Sequence, residues 1–218
     1  MYMKIFLAVT VLGLAGMFAV GALGLGKYSL VCKMIASTGF IAMAVAAGGL
    51  ETAYGKAVFL GLFFSWWGDL FLGMSGWFLF GLVAFLLGHL CYSAAFLVHG
   101  VDWKWVGTAA LGVAVVAGGV SVWLGDKPGE LLYPVYAYML VISSMVALSF
   151  GTRGLGASWW LVAAAVLFYV SDLFVARSRF VSPGAINGVF GLPLYYGGQI
   201  VFAYTCRLVA MSKGVAGQ

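Results

Sequence analysis

Read for apolar and polar positions alone, the chain is a series of long apolar runs broken by short turn sequences. Eight runs can be counted, at roughly 5–25, 28–48, 56–74, 77–98, 103–124, 130–150, 156–176 and 190–211. Each approaches the length of roughly 20 residues that an α-helix needs to cross a bilayer. The breaks carry turn chemistry: Gly24-Leu25-Gly26, Gly48-Gly49, Ser75-Gly76, Gly125-Asp126-Lys127-Pro128-Gly129, Gly154-Leu155-Gly156 and Ser182-Pro183-Gly184. Trp77, Trp103, Trp105, Trp123, Trp159 and Trp160 fall near run ends, where indoles favour the headgroup level. The pattern predicts an all-α, polytopic transmembrane helical bundle of about eight spans, because lipid offers no partner to an open backbone. Residues 1–218 then form one integral membrane domain. The first run follows Lys4 and resembles a secretory leader, but its length and the spans behind it predict an uncleaved first helix.

Composition and charge narrow the picture. Only 8% of the 218 residues are charged and 64% are hydrophobic, whereas a soluble domain carries about 25% charged residues. The net charge of +5 suits a surface of anionic membrane lipids. Clustered basic stretches are absent, so nucleic acid is not an expected partner. With an even number of spans both termini share one side. That side holds Lys4, Lys56, Lys104, Arg153, Arg207 and Lys213; the other holds Lys27, Lys33, Lys127, Arg177 and Arg179. The small excess places the termini in the cytoplasm of a bacterial inner membrane.

The two halves of the chain repeat short motifs. Gly68-Asp69-Leu70-Phe71 at the end of the third run returns as Ser171-Asp172-Leu173-Phe174 at the end of the seventh. Phe80-Gly81-Leu82 and Gly88-His89 in the fourth return as Phe190-Gly191-Leu192 and Gly198-Gln199 in the eighth, with the same spacing. A four-helix unit used twice, over 1–100 and 101–218, would place parallel copies about an axis along the membrane normal. Chance recurrence in an apolar chain is the competing reading.

Candidate chemistry is sparse. Of six acidic residues, Glu51, Asp102, Asp126 and Glu130 fall in loops or at run edges and read as solvated. Asp69 and Asp172 lie inside apolar runs, where an ionisable group marks a functional site by default. Counted from the ends of their runs at 1.5 Å per residue, both sit roughly 6–8 Å below the same face. They read as two carboxylates in one cavity; the bland alternative is two polar groups that only bond neighbouring helices. His89 lies deeper, roughly 10 Å below the aspartates on the same count. A base, a proton relay and a hydrogen-bonded core histidine all fit it. Tyr92 is one turn on, Lys33 is near the start of the second helix, Arg177 and Arg179 are at the rim, and Tyr195, Tyr196 and Gln199 make the last run polar. No zinc-protease, nucleophile-elbow or phosphate-loop motif is present, and two histidines are too few for a typical zinc site, so neither metal nor cofactor is expected.

Gly68-Asp69-Leu70 followed by Gly81-x3-Phe85-x3-His89-x2-Tyr92-x3-Phe96 resembles the lysoplasmalogenase (YhhN) family of eight-span membrane proteins. Ser171-Asp172 with Arg179-Phe180, and Tyr195-Tyr196-x2-Gln199, resemble it too, and Lys33 stands where the family carries a basic residue. The resemblance implies hydrolysis of the vinyl-ether bond of lysoplasmalogens to a fatty aldehyde and glycerophosphoethanolamine or glycerophosphocholine. It implies catalytic roles for Asp69, Asp172 and His89. It also implies substrate contacts from Lys33, Tyr92, Arg179, Tyr195, Tyr196 and Gln199; Arg177 joins them as a substrate contact from its place beside Arg179 at the rim, where the pair could hold a phosphate or equally anchor the helix at the interface. Partners are then a lysophospholipid and the surrounding membrane lipids. A proton-coupled transporter or a lipid-binding membrane protein is the alternative, since parallel halves and intramembrane acids suit a carrier as well.

Overall fold

The computed structural model describes residues 2–214. Its eight α-helices are α1 (Tyr2–Ala22), α2 (Ser29–Ala46), α3 (Ala53–Leu72), α4 (Phe78–His99), α5 (Trp103–Leu124), α6 (Leu132–Gly154), α7 (Trp159–Ala176) and α8 (Ala185–Ser212). The glycines in the breaks do the turning: Gly24, Gly48, Gly76, Gly125 and Gly156 all have positive φ, a region that side chains with a Cβ rarely enter. Thr52, Asp102 and Ser158 cap α3, α5 and α7 by accepting from backbone N–H groups two or three residues on. Asp102, which reads as merely solvated in the sequence, is therefore a helix cap.

Six helices are long and apolar enough to cross a membrane: α1, α2 with its leading turn, α4, α5, α6, and α7 with its trailing turn. The other two, α3 and α8, pack between neighbours. α3 lies against α2, α4 and α8, and α8 lies against α7, α2, α3 and α1. Polar residues on such helices are tolerated where they turn toward the neighbours and find partners. At the periphery α1 buries only Thr10, Gly13 and Met17, and α5 only Leu124.

Two departures from the expected boundaries reshape the site. First, α7 does not stop at Ala176: a wide π-turn carries the chain on through Arg177–Val181. Asp172 is thus nine residues from the end of its helical segment, about 13 Å at 1.5 Å per residue. Second, α8 begins at Ala185, directly after Ser182-Pro183-Gly184, and so brings Asn187 into its first turn.

Close approach between helices depends on small residues. A Cβ on Gly61 would lie 2.3 Å from the Tyr92 ring, and one on Gly68 would lie 2.6 Å from the Phe85 ring. These two glycines let α4 lie flat on α3 beside Asp69.

Candidate active site

Asp69 comes from the last turn of α3 and is 2% exposed. Lys33 Nζ, one turn into α2, lies 3.0 Å from its Oδ1. The other oxygen, Oδ2, accepts from Ser37 Oγ at 2.5 Å and from Tyr195 OH at 2.7 Å. Tyr196, next to Tyr195 on α8, donates to the backbone oxygen of Lys33 at 3.3 Å and fixes the turn that presents the lysine. Phe40 packs on both tyrosines, with ring centroids 6.3 and 6.2 Å away. A buried carboxylate is tolerable only when paired and hydrogen-bonded. Two helices, α2 and α8, supply what Asp69 needs.

Asp172 has different company. Tyr138 OH, from α6, donates to its Oδ2 at 2.5 Å, and His89 Nε2, from α4, lies 3.4 Å from the same oxygen. His89 Nε2 and Tyr138 OH are 2.8 Å apart. The tyrosine has one proton and directs it to Asp172, so its oxygen accepts from the Nε2–H of His89. The result is a directed chain, His89 to Tyr138 to Asp172, with no lysine or arginine in it. Behind it, the Phe168 ring packs 4.6 Å from His89 and 5.3 Å from Tyr195, and so touches one partner of each carboxylate.

Both aspartates face one cavity of about 650 Å³. Its polar wall includes Lys33, Asp69, Tyr138, Tyr169, Asp172, Arg179 and Tyr195; much of the rest is apolar, from Leu82 and Phe85 on α4 to Val120 and Leu124 on α5. The turn Gly73–Gly76 and Arg179 form one end. The Arg179 guanidinium lies 4.7 Å above the Phe78 ring, and no carboxylate is paired with it among the described residues. An apolar chamber with a few convergent polar groups is the usual form of a small-molecule site. Among the described residues no three His, Cys, Asp or Glu side chains converge to hold a metal ion.

The candidates divide into three sets. Lys33, Asp69, Asp172, Arg179 and Tyr195 line the cavity, and Tyr196 and His89 stand directly behind it. Tyr92 and Gln199 do not line it. Tyr92 is fully buried, stacks on Phe202 with centroids 3.9 Å apart, and donates to Gln199 Oε1 at 2.7 Å. Arg177 also turns away: it donates to Asn187 Oδ1 at 2.7 Å and ties the π-turn to the start of α8. The expected depth of His89 is overturned, since Asp172 sits deeper than a helix ending at Ala176 implies and the imidazole reaches it directly. Tyr138 and Ser37 are additions to the set. Tyr138 is one of three tyrosines in Leu132–Met139, a stretch that reads as interface aromatics. Ser37 Oγ also lies 3.0 Å from the carbonyl oxygen of Lys33, but its single proton goes to the nearer Asp69 oxygen, a partner across helices that leaves no mark in a sequence pattern.

The profile of the YhhN family matches residues 28–206, from the start of α2 to near the end of α8. The chain belongs to the YhhN family. The match omits α1, the peripheral helix that contributes nothing to the cavity wall. Among curated members, a protein of Mycobacterium bovis named lysoplasmalogenase is 32% identical over 137 residues, 59% of this chain and 51% of that protein. A Mycobacterium tuberculosis protein of the same name matches equally. Lysoplasmalogenase TMEM86A of Bos taurus is 30% identical over 155 residues, 67% of this chain and 63% of the bovine one. The chain thus spans about half the length of its mycobacterial relatives and somewhat more of the bovine one. No solved structure matches it. With six apolar helices of spanning length, this YhhN member is an integral membrane protein.

Proposed function

We propose that the chain hydrolyses the vinyl-ether bond of lysoplasmalogens, giving a fatty aldehyde and glycerophosphoethanolamine or glycerophosphocholine. One observation carries this reading: two carboxylates with unlike partners line a single cavity, Asp69 ion-paired to Lys33 and Asp172 joined to a tyrosine and a histidine. The names of its relatives supply the substrate class.

The chemistry needs no nucleophilic side chain. A proton is added to the outer vinyl carbon, which leaves an oxocarbenium ion on the carbon bonded to oxygen. Water adds to that carbon and loses its proton. The hemiacetal then collapses to the aldehyde and the glycerol hydroxyl, so the net change is the consumption of one water. Asp172, Tyr138 and His89 are groups that can hold and pass the proton in both directions. Asp69, fixed by three partners, presents negative charge that is already oriented when the cation forms. The division of labour between two carboxyl groups parallels that in glycosidases. Tyr169 has a buried hydroxyl without a partner in the cavity wall, one turn before Asp172, where it can hold the attacking water. Arg179 takes the substrate phosphate in this reading, supported by its place in the cavity wall and the lack of a carboxylate partner among the described residues.

The same reading puts the protein in a bacterial inner membrane with cytoplasmic termini, supported by the slight excess of basic residues on that side. It also treats the chain as two parallel halves, supported by reciprocal packing in which α2 meets α8 as α6 meets α4. The test is aldehyde release from a lysoplasmalogen by purified protein. Absence of aldehyde from folded, monodisperse protein rejects the assignment.

A further inference from the structure

Beside the polar cavity runs a groove between α5 and α7, and we infer that it is a lateral port that holds the hydrocarbon chain of the substrate. The chemical identity of the lipid rests on the proposed reaction; the place of its chain rests on geometry.

The groove has a volume of about 450 Å³, within the range that accommodates a small-molecule ligand. Val116, Gly119 and Trp123 of α5 form one side, and Val170 of α7 forms the other, with Arg177 of the π-turn as the one charged residue in the lining. Three residues, Val120, Leu173 and Phe174, line both the groove and the aspartate cavity. The two spaces therefore share a wall one side chain thick, made of partly exposed apolar residues. Leu173 is the residue after Asp172, so the groove opens level with the reactive carboxylate. Its outer side faces lipid: Val116 is 49% and Trp123 37% exposed, and α5 buries only Leu124.

The chemistry of the substrate needs such a port. The vinyl ether is at the headgroup end of a long chain that lies in the bilayer. A cavity reached only from water would require the whole chain to leave hydrocarbon, at a cost for every methylene. A groove open to lipid removes that cost, because the chain passes from one apolar surroundings to another. The headgroup then stays at the Gly73–Gly76 turn and Arg179, the scissile bond lies between the carboxylates, and the chain leaves past Leu173 and Phe174 into the groove.

The test uses full-length protein in phosphatidylcholine vesicles and a lysophosphatidylethanolamine with a diazirine midway along an ester-linked chain. The probe lacks a vinyl ether, so its capture is independent of turnover. After irradiation, adducts are expected on the α5 segment 116–123 and on residues 170–177 of α7 and its π-turn. A Cβ on Gly119 meets nothing within 4 Å, so Gly119→Phe should fold while it fills the groove. It should cut that labelling about tenfold, the scale on which hydrophobic pockets reject added bulk. Gly112→Phe, equally unhindered but away from the groove, should leave it intact. Labelling spread evenly over the lipid faces of α1 and α5, or unchanged by Gly119→Phe, overturns the inference. Groove labelling together with no aldehyde from a lysoplasmalogen keeps the chain site and rejects the vinyl-ether reaction.

Discussion

His89 Nε2 lies 3.4 Å from Asp172 Oδ2, with the hydroxyl of Tyr138 hydrogen-bonded to both. Three helices, α4, α6 and α7, each contribute one member. This contact puts the histidine beside Asp172 rather than roughly 10 Å below it, and it sets the ranking of the variants below.

Asp172→Asn is expected to lower aldehyde release by about 10²–10⁴-fold, the usual loss when a general acid or base is removed. Asp69→Asn should fall in the same range through loss of oriented negative charge. Both should still insert, since an amide is easier to bury than a carboxylate. Retention of more than about a tenth of the wild-type rate by Asp172→Asn, less than the smallest loss expected of a proton-transfer group, excludes the two-carboxylate mechanism.

Tyr138→Phe keeps the ring and removes only the hydroxyl that joins His89 to Asp172. We expect a fall in rate of about 10²-fold, and a similar fall for His89→Gln, because the two act as one unit. The double variant Tyr138→Phe/His89→Gln should be little worse than either single change. Rates that multiply would show that the two residues act separately.

Lys33→Met leaves the carboxylate of Asp69 buried beside two hydroxyls and no cation. Breaking a buried pair from one side costs about 3 kcal/mol or more. Thermal unfolding in detergent should show that loss, and adding Asp69→Asn should restore most of it. If the double variant melts no higher than Lys33→Met, the ion pair is not what the lysine supplies.

Gly61→Ala should destabilise by about 1–3 kcal/mol, the cost of overpacking a close contact, because its Cβ would overlap the Tyr92 ring. That ring is held by its stack on Phe202 and its bond to Gln199 and has nowhere to move. Gly118→Ala, with nothing within 4 Å of its Cβ, should be neutral or slightly stabilising. Unfolding midpoints of the two variants in the same detergent make the comparison, and equal midpoints would contradict it.

The helices were legible because apolar runs of spanning length and glycine-rich breaks are strong one-dimensional signals. Asp69, Asp172 and Lys33 were legible for a related reason: charge inside an apolar run stands out. Neighbours across helices were not. Tyr138 looks like any interface tyrosine until α6 is packed on α4, and Ser37 looks like a small packing residue until α2 meets α3. The misplaced depth of His89 came from counting Asp172 from Ala176, when a π-turn without any distinct apolar signature continues to Val181.

The ion pair of Lys33 with Asp69 has a consequence for the lifetime of the protein. A fatty aldehyde is an electrophile that condenses with free amines to imines, and Lys33 is an amine in the wall of the chamber where the aldehyde would be formed. Only the unprotonated amine attacks a carbonyl. The ion pair with Asp69 engages the Lys33 Nζ, and under the proposed reaction that pairing shields the chain from derivatisation by the aldehyde. Asp69→Asn removes the shield. With added long-chain aldehyde and borohydride, that variant should gain an alkyl mass on Lys33 that the wild-type protein does not, and equal modification of the two would refute this protective role.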